Sequence, residues 1–207
     1  MKALLISPHL DDAVLSAGRF LAANPGSAVV TIFAGIPKDS KALFEYDKKM
    51  GFPTSQIAMR VRRSEDQEAI RSLSCIPIQL QYLEEQYRQS EPTYAVALKQ
   101  LVDLATDYEI VLGPLGIRHP DHVRARNIVN VLATYINKPV YLWADLPYRV
   151  TDPGSAWERA GSLQKVGLLV GSKELKLKAL QCYQSQWGRD DLMEENVMVA
   201  EEFWRLK

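Results

Sequence analysis

Short apolar runs alternate with segments of helical periodicity along most of the chain. Five runs have the length and composition of buried strands: residues 2–7, 28–34, 76–82, 109–113 and 139–144. The segments that separate consecutive runs place apolar residues at i, i+3, i+4 and i+7, which is typical of amphipathic helices. Helices are predicted from Asp12, over residues 60–73, in residues 94–105 and after Pro120.

This alternation of strands and helices predicts an α/β fold. Parallel strands joined by right-handed helical crossovers bury both faces of a sheet. We therefore expect a Rossmann-like three-layer fold, in which a mostly parallel sheet of strand order 3-2-1-4-5 carries helices on both faces. The 207 residues are expected to form one domain, because domains commonly have about 100 to 200 residues.

The remaining segments have weaker patterns. Residues 38–54 have no clean period and are predicted to form a long loop with at most one helical turn. A sixth apolar run covers residues 166–170, and a helix is predicted over residues 173–186. The tail from Arg189 is rich in Asp and Glu, and we interpret it as a solvated acidic edge.

Composition and charge limit the classes of partner. Lys and Arg number 25 and Asp and Glu number 25, so there is no net field to attract nucleic acid or an anionic membrane. The apolar run at the N-terminus is too short for a signal peptide or a membrane span, and the two distant cysteines favour a reducing, cytoplasmic setting. We expect a small-molecule partner, no nucleic acid and no membrane; a homo-oligomer is compatible with the sequence.

Histidine is the most informative residue type in the sequence. The chain has three histidines, His9, His119 and His122, and they occupy two short acidic segments. These segments follow the first and the fourth predicted strands, which are neighbours where the strand order reverses. The two segments should therefore converge in one crevice at the carboxyl edge of the sheet.

The residue types in these segments fit a hydrolytic metal site. His9 and Asp12 are three residues apart at a helix entrance and can approach one ion, while the helix N-terminus favours a neutral His122. Two imidazoles and a carboxylate, completed by water, form a zinc site of this kind. Asp11 is then the candidate general base. His119 is the candidate oxyanion stabiliser and acid, with Asp121 orienting it.

The two segments also carry a resemblance to the PIG-L/LmbE-like deacetylases. The family motif P-H-P-D-D-E is similar to Pro8-His9-Leu10-Asp11-Asp12-Ala13, and the motif H-P-D-H is present in residues 119–122. Arg62 and Glu65 resemble the family pattern R-x-x-E. Leu10 and Ala13 depart from the first motif, which affects the surroundings of the ligands and the substrate class, but not the ligand set.

The resemblance implies an activity and a set of roles. It implies a metal-dependent enzyme that removes an acetyl or other acyl group from the amine of an amino sugar or glycoconjugate. It implies His9, Asp12 and His122 as metal ligands, Asp11 as general base and His119 as electrophilic and acid partner. It also implies that Arg62 contacts the substrate or the product carboxylate.

Two further substrate contacts and several alternatives follow from the residues alone. Trp143 and Asp145 lie at the end of the fifth predicted strand. The Trp143 indole is a candidate to pack on a sugar, with a place in the core as the alternative, and the Asp145 carboxylate is a candidate to bind the substrate. The metal is expected to be zinc, with ferrous iron as the alternative. Two histidines and a carboxylate also occur in non-haem iron oxygenases. A catalytically degenerate metal-binding protein is a further alternative, because Ala13 departs from the motif.

Overall fold

The computed structural model describes residues 1–39, 41–187 and 194–207. Five parallel strands form the centre of its sheet in the order β3-β2-β1-β4-β5. They are β1 (Ala3–Ser7), β2 (Ala28–Thr31), β3 (Ile76–Gln79), β4 (Ile110–Pro114) and β5 (Val140–Trp143). The α/β class and the predicted strand order are confirmed.

Two short strands extend the sheet beyond β5. They are β6 (Gln164–Val166) and β7 (Phe203–Arg205), and β7 pairs antiparallel with both β5 and β6. The sixth apolar run was therefore misplaced, because the strand ends at the residue where that run begins. The prediction of a solvated tail is also wrong for Phe203 and Trp204, which are buried. The tail residues Arg189, Asp190 and Asp191 lie outside the described residues.

Helices cover both faces of the sheet. They are α1 (Asp12–Ala23), α2 (Glu45–Lys49), α3 (Ser55–Ser72), α4 (Ala95–Ala105), α5 (Pro120–Tyr135), α6 (Tyr148–Thr151), α7 (Pro153–Ala160), α8 (Lys173–Leu180) and α9 (Glu194–Val197). Helix α3 starts five residues earlier than predicted, because the Thr54 hydroxyl accepts a hydrogen bond from the Ile57 amide and caps it. None of the described helices is long and apolar enough to cross a bilayer.

Two apolar layers hold the helices on the sheet. On one face α4 and α5 bury Leu101, Val129 and Leu132, and on the other α1 and α8 bury Phe20 and Leu180. Since both faces are covered, the central strands consist almost entirely of apolar residues. Helix α5 approaches β4 closely because of a glycine on the strand: a Cβ atom at Gly113 would lie 2.4 Å from Val129 Cγ2. This close packing sets the distance between α5 and the sheet.

Helix α1 contains a break that distant residues stabilise. Ala17 has non-helical torsion angles, φ −138° and ψ 24°. The Lys176 ammonium donates to the Leu15 carbonyl oxygen at 2.6 Å, and the Glu201 carboxylate accepts from the Arg19 amide at 2.8 Å. The break separates the first turns of α1, which begin at Asp12, from its C-terminal half.

Candidate metal centre

The loops after β1 and β4 bring the three histidines together. The ring centroids of His9 and His119 are 4.8 Å apart, those of His9 and His122 are 5.2 Å apart, and those of His119 and His122 are 5.6 Å apart. This convergence arises because β1 and β4 are hydrogen-bonded neighbours at the reversal of the strand order.

His9, Asp12 and His122 form a cluster with the spacing of a metal site. One ring nitrogen of each histidine and one carboxylate oxygen all lie within 4.8 Å of one another. His9 Nδ1 lies 3.3 Å and His122 Nε2 3.1 Å from Asp12 Oδ2. His122 Nε2 is buried and, although it lies close to that oxygen, makes no hydrogen bond. An unpartnered buried nitrogen beside a second imidazole and a carboxylate fits a divalent cation.

Each of the two candidate ligand imidazoles also contacts a carboxylate other than Asp12. His122 Nδ1 lies 2.7 Å from Asp145 Oδ1, and His9 Nε2 lies 3.1 Å from Asp121 Oδ2. Carboxylates in this position orient a metal-binding imidazole and increase its basicity. The ring nitrogens that remain, His9 Nδ1 and His122 Nε2, are the ones that face Asp12.

The structure corrects the predicted role of Asp145. Its side chain is fully buried, and its second oxygen accepts hydrogen bonds from the amides of Gly116 at 2.9 Å and Ile117 at 3.1 Å. No oxygen is left to contact a substrate. Asp145 therefore positions His122 and the loop after β4.

The predicted role of Asp121 changes in the same way. Its carboxylate does not contact His119 but points inward to His9, because Asp121 lies in the first turn of α5 on the buried side. The contact with His119 runs through the backbone: the Asp121 amide donates to His119 Nδ1 at 3.1 Å, so His119 caps the helix.

Asp11 occupies a strained position at the start of α1. Its φ of 138° is rare for a residue with a side chain, and such conformations cost about 1 to 3 kcal/mol and concentrate at functional sites. Its carbonyl oxygen accepts hydrogen bonds from the amides of Val14 and Leu15, both at 2.9 Å. The strained backbone directs the Asp11 side chain toward the cavity, whereas Asp12 faces the histidines.

Burial and neighbouring charges shift the pKa values of these groups apart. Burial, with the nearby Asp12 carboxylate, raises the pKa of Asp11 well above its usual range. Burial acts in the same direction on Asp12, but His122 and His9 outweigh it and hold the pKa of Asp12 well below normal. Burial lowers the pKa of His119 to about 4, so this imidazole is neutral near pH 7.

A cavity of about 420 Å³ opens beside the histidines. The Arg62 guanidinium forms part of its wall and lies 2.8 Å from Glu84 Oε1, and both side chains are buried. Arg62 Nε and Gln186 Nε2 are buried without a hydrogen-bond partner. The cavity is lined by His9, Asp11, Asp12, Leu15, Tyr46, Arg62, Glu84, Glu85, Gln86, His119, Pro147, Tyr148 and Gln186.

Sequence reasoning missed much of this wall. Glu84, Glu85 and Gln86 follow β3, at the same carboxyl edge of the sheet as the histidine loops. That position was the available signal, but two glutamates and a glutamine without a motif look like an ordinary surface loop. Gln186 was not assigned to the site from the sequence, because its position depends on the turn that follows α8.

Trp143 does not reach the cavity, and the predicted contact between its ring and a sugar is wrong. The side chain is fully buried in the apolar layer that contains Phe203. The reason is the antiparallel strand β7, which pairs with β5 and places Phe203 beside Trp143. The tryptophan is a core residue.

Comparisons with known proteins identify the family. Residues 4–133 match the sequence model of the PIG-L family, described as GlcNAc-PI de-N-acetylase. A comparison with curated proteins finds no match.

Solved structures of deacetylases are similar over almost the whole chain. The A40926 pseudoaglycone deacetylase Dbv21 is 26% identical with a TM-score of 0.79, and the match covers 99% of this chain and 96% of that one. A triple mutant of a deacetylase in the teicoplanin biosynthetic pathway is 26% identical with a TM-score of 0.78, and coverage is 99% and 97%.

A more distant structure shares the fold alone. The N,N'-diacetylchitobiose deacetylase from Pyrococcus horikoshii is 19% identical with a TM-score of 0.61, and the match covers 94% of this chain and 73% of that one. The resemblance drawn from the two histidine motifs is confirmed by the family match, which spans more than half of the chain. The chain belongs to the PIG-L family and is an N-deacetylase.

Proposed function

We propose that the protein is a zinc-dependent hydrolase that removes an acetyl or other acyl group from the amine of an N-acyl amino sugar or small glycoconjugate. One observation carries the proposal: the unpartnered His122 Nε2 lies with His9 and Asp12 beside a cavity that also exposes Asp11 and His119. This combination supplies metal ligands, a base and a hydrogen-bond donor in one place.

His9, Asp12 and His122 are the residues that would hold the ion. Two nitrogens and one oxygen leave an open coordination position, as hydrolytic zinc sites require. A bound zinc ion would lower the pKa of a water molecule and polarise the amide carbonyl. Ferrous iron suits the same donors. An oxygenase reaction would leave Asp11 and His119 without a role, so we favour hydrolysis.

Asp11 is the group placed to move the proton. It lines the cavity next to Asp12, yet its carboxylate is not part of the ligand cluster. A carboxylate in this position accepts a proton from the attacking water and returns it to the amine nitrogen as the carbon–nitrogen bond breaks. One side chain can thus serve as base and then as acid.

His119 is the group placed to stabilise the oxyanion. Its Nδ1 accepts the Asp121 amide hydrogen, so a neutral ring carries its proton on Nε2. This N–H can donate to the amide oxygen as negative charge develops there. The sequence also assigned His119 as the acid for the leaving amine; in our proposal Asp11 takes over that proton transfer.

The cavity wall supports a polar substrate of modest size. A volume of about 420 Å³ falls within the range of small-molecule sites. The unpartnered donors of Arg62 and Gln186 and the carboxylate of Glu84 offer complementary partners for the hydroxyl groups of a sugar. The similar deacetylase Dbv21 acts, according to its name, on the pseudoaglycone of the antimicrobial reagent A40926.

The alternative of a catalytically degenerate metal-binding protein, which the sequence left open, gains no support from the two motif departures. Ala13 and Leu10 are buried, and neither lines the cavity. Ala13 and Leu10 pack in the apolar core instead.

The test is acetate release from a panel of N-acetyl substrates. Zinc-loaded protein should release acetate from N-acetylglucosamine, N,N'-diacetylchitobiose or a larger N-acyl glycoconjugate, and Asp11→Asn protein should not. A folded, zinc-loaded protein that releases acetate from none of them would contradict the proposed reaction. Stoichiometric zinc without any turnover would support the degenerate protein instead.

A further inference from the structure

The Asp121 carboxylate connects three parts of the structure. Oδ2 lies 3.1 Å from His9 Nε2 and accepts the Glu85 amide hydrogen at 2.8 Å. Oδ1 accepts from Arg88 at 2.5 Å, and the Arg124 guanidinium lies farther away, at 3.4 Å. Asp121 has no exposed surface, so its orientation depends entirely on these protein partners.

Arg88 is the most constrained of these partners. Its guanidinium also donates to the Leu83 carbonyl oxygen at 2.8 Å and lies 5.0 Å from the centre of the Phe33 ring. Only 6% of its side chain is exposed. A planar group held by a carboxylate, a carbonyl and an aromatic ring has one orientation, which a lysine in its place could not reproduce.

We propose that Arg88 is a positioning residue for the metal centre. It fixes the Asp121 carboxylate, which fixes the His9 ring so that Nδ1 faces Asp12. This inference rests on the proposed metal site. Groups that orient a ligand imidazole typically change metal affinity by about 10- to 100-fold when they are removed.

The same carboxylate also connects the metal centre to the cavity wall. Glu85 donates its amide hydrogen to Asp121, and Glu84, Glu85 and Gln86 line the cavity. A shift of Asp121 would therefore move this wall as well as His9. Loss of Arg88 should raise KM for the substrate in addition to weakening metal binding.

Arg124 provides a matched control. It contacts the same carboxylate at 3.4 Å, but 24% of its side chain is exposed and its main partner is Glu91 on the surface. If general charge compensation of Asp121 were all that mattered, the two arginines would have comparable effects. A positioning role requires a much larger effect from Arg88.

The experiment measures zinc affinity of metal-free protein by competition with a chromophoric chelator. Arg88→Met should bind zinc about 10- to 100-fold more weakly than wild type, Arg88→Lys should be intermediate, and Arg124→Met should change affinity by less than about threefold. Circular dichroism and thermal melting check folding; if Arg88→Met fails to fold, Arg88→Lys decides the outcome.

Three results would overturn the proposal: wild-type zinc affinity in a folded Arg88 variant, an equal loss in Arg124→Met, or a wild-type protein that binds no zinc. Failure of the proposed function is distinguishable, because it appears as absent acetate release by wild-type protein that does bind zinc. In that case the affinity ratios still test Arg88.

Discussion

Two buried clusters of charged side chains lie along helix α1 and serve different purposes. At its N-terminus Asp12 meets His9 and His122. At its break, Lys176 and Glu201 form an ion pair at 3.1 Å with no side-chain exposure. The first cluster is also largely buried, with 12% of the His9 side chain and 7% of the Asp12 side chain exposed, so burial alone does not distinguish a functional site from a structural one.

The difference between the clusters lies in hydrogen bonding. In the second, Lys176 donates to the Leu15 carbonyl, and the two Glu201 oxygens accept from the amides of Arg19 and Phe20. In the first, His122 Nε2 has no hydrogen-bond partner and the cluster borders a cavity. A buried donor or acceptor that has no hydrogen-bond partner and lies beside a cavity indicates a ligand-binding site.

The largest effect should follow from removing the unpartnered nitrogen. His122→Ala should abolish stoichiometric zinc binding and reduce acetate release to background, because two ligands cannot hold the ion as three do. Metal analysis and the acetate assay check this. His119→Ala is the control: it lies in the same cavity but outside the ligand trio, so it should retain zinc. A His122→Ala protein that still binds zinc and releases acetate would show that the unpartnered nitrogen does not distinguish the first cluster from the second.

Replacing the proposed base should separate chemistry from binding. Asp11→Asn keeps the shape of the side chain and a residue type that tolerates positive φ, so zinc content should be unchanged while kcat falls about 10²- to 10⁴-fold. The measurement is kcat together with metal stoichiometry. An unchanged kcat would place the base elsewhere.

The second cluster should affect stability instead of chemistry. Glu201→Gln leaves the Lys176 ammonium buried without its counter-charge and should reduce the free energy of unfolding by about 3 to 5 kcal/mol. Denaturant titration measures this, and Lys176→Met combined with Glu201→Gln should recover part of the loss. Zinc stoichiometry should stay at the wild-type value; a variant of normal stability that has lost zinc would show that the clusters are not separate.

Asp66 is a buried carboxylate near the cavity that we expect to affect stability, as Glu201 does, and not catalysis. It accepts hydrogen bonds from Tyr183 at 3.0 Å and Gln79 at 3.0 Å. Burial raises its pKa to about 6, so between about pH 4 and pH 6 the folded protein binds more protons than the unfolded chain. Its contribution to stability therefore decreases as the pH rises through this window.

Asp66→Asn should remove this dependence. Relative to the variant, the wild-type protein should lose up to about 3 kcal/mol of unfolding free energy between pH 4 and pH 7. Unfolding at several pH values, in metal-free buffer, measures the difference. Parallel curves for the two proteins would mean that Asp66 has an ordinary pKa.

The smallest effect is expected at Trp143. Because its ring is enclosed in the core, Trp143→Phe should change kcat and KM by less than about threefold while costing about 1 to 3 kcal/mol of stability. Steady-state kinetics and thermal unfolding check both. A large increase in KM with unchanged stability would restore the ring as a substrate contact.

Local sequence was sufficient to predict the centre of the sheet and the meeting of the histidines. The strand order 3-2-1-4-5, which is common in sheets of alternating strands and helices, places the loops of β1 and β4 side by side. The two motifs are contiguous, so their residues are positioned by short-range structure. The convergence of the two motifs was predictable because it needed only the strand order in addition to these two loops.

The directions of individual side chains could not be predicted in this way. Asp145 and Trp143 were assigned to the substrate from their place at the end of β5, but β7 and the loop after β4 enclose them. Arg88 and Glu201 carried no motif, and each acts on a residue far away in the sequence. Long-range partners of this kind become visible only in the folded structure.

The most direct test is anomalous diffraction at the zinc absorption edge from crystals of the zinc-loaded protein. We predict one strong peak within about 2.0 to 2.2 Å of a nitrogen of His9, a nitrogen of His122 and an oxygen of Asp12. A peak bound by other residues, or an empty cluster in crystals grown with excess zinc, would contradict the account.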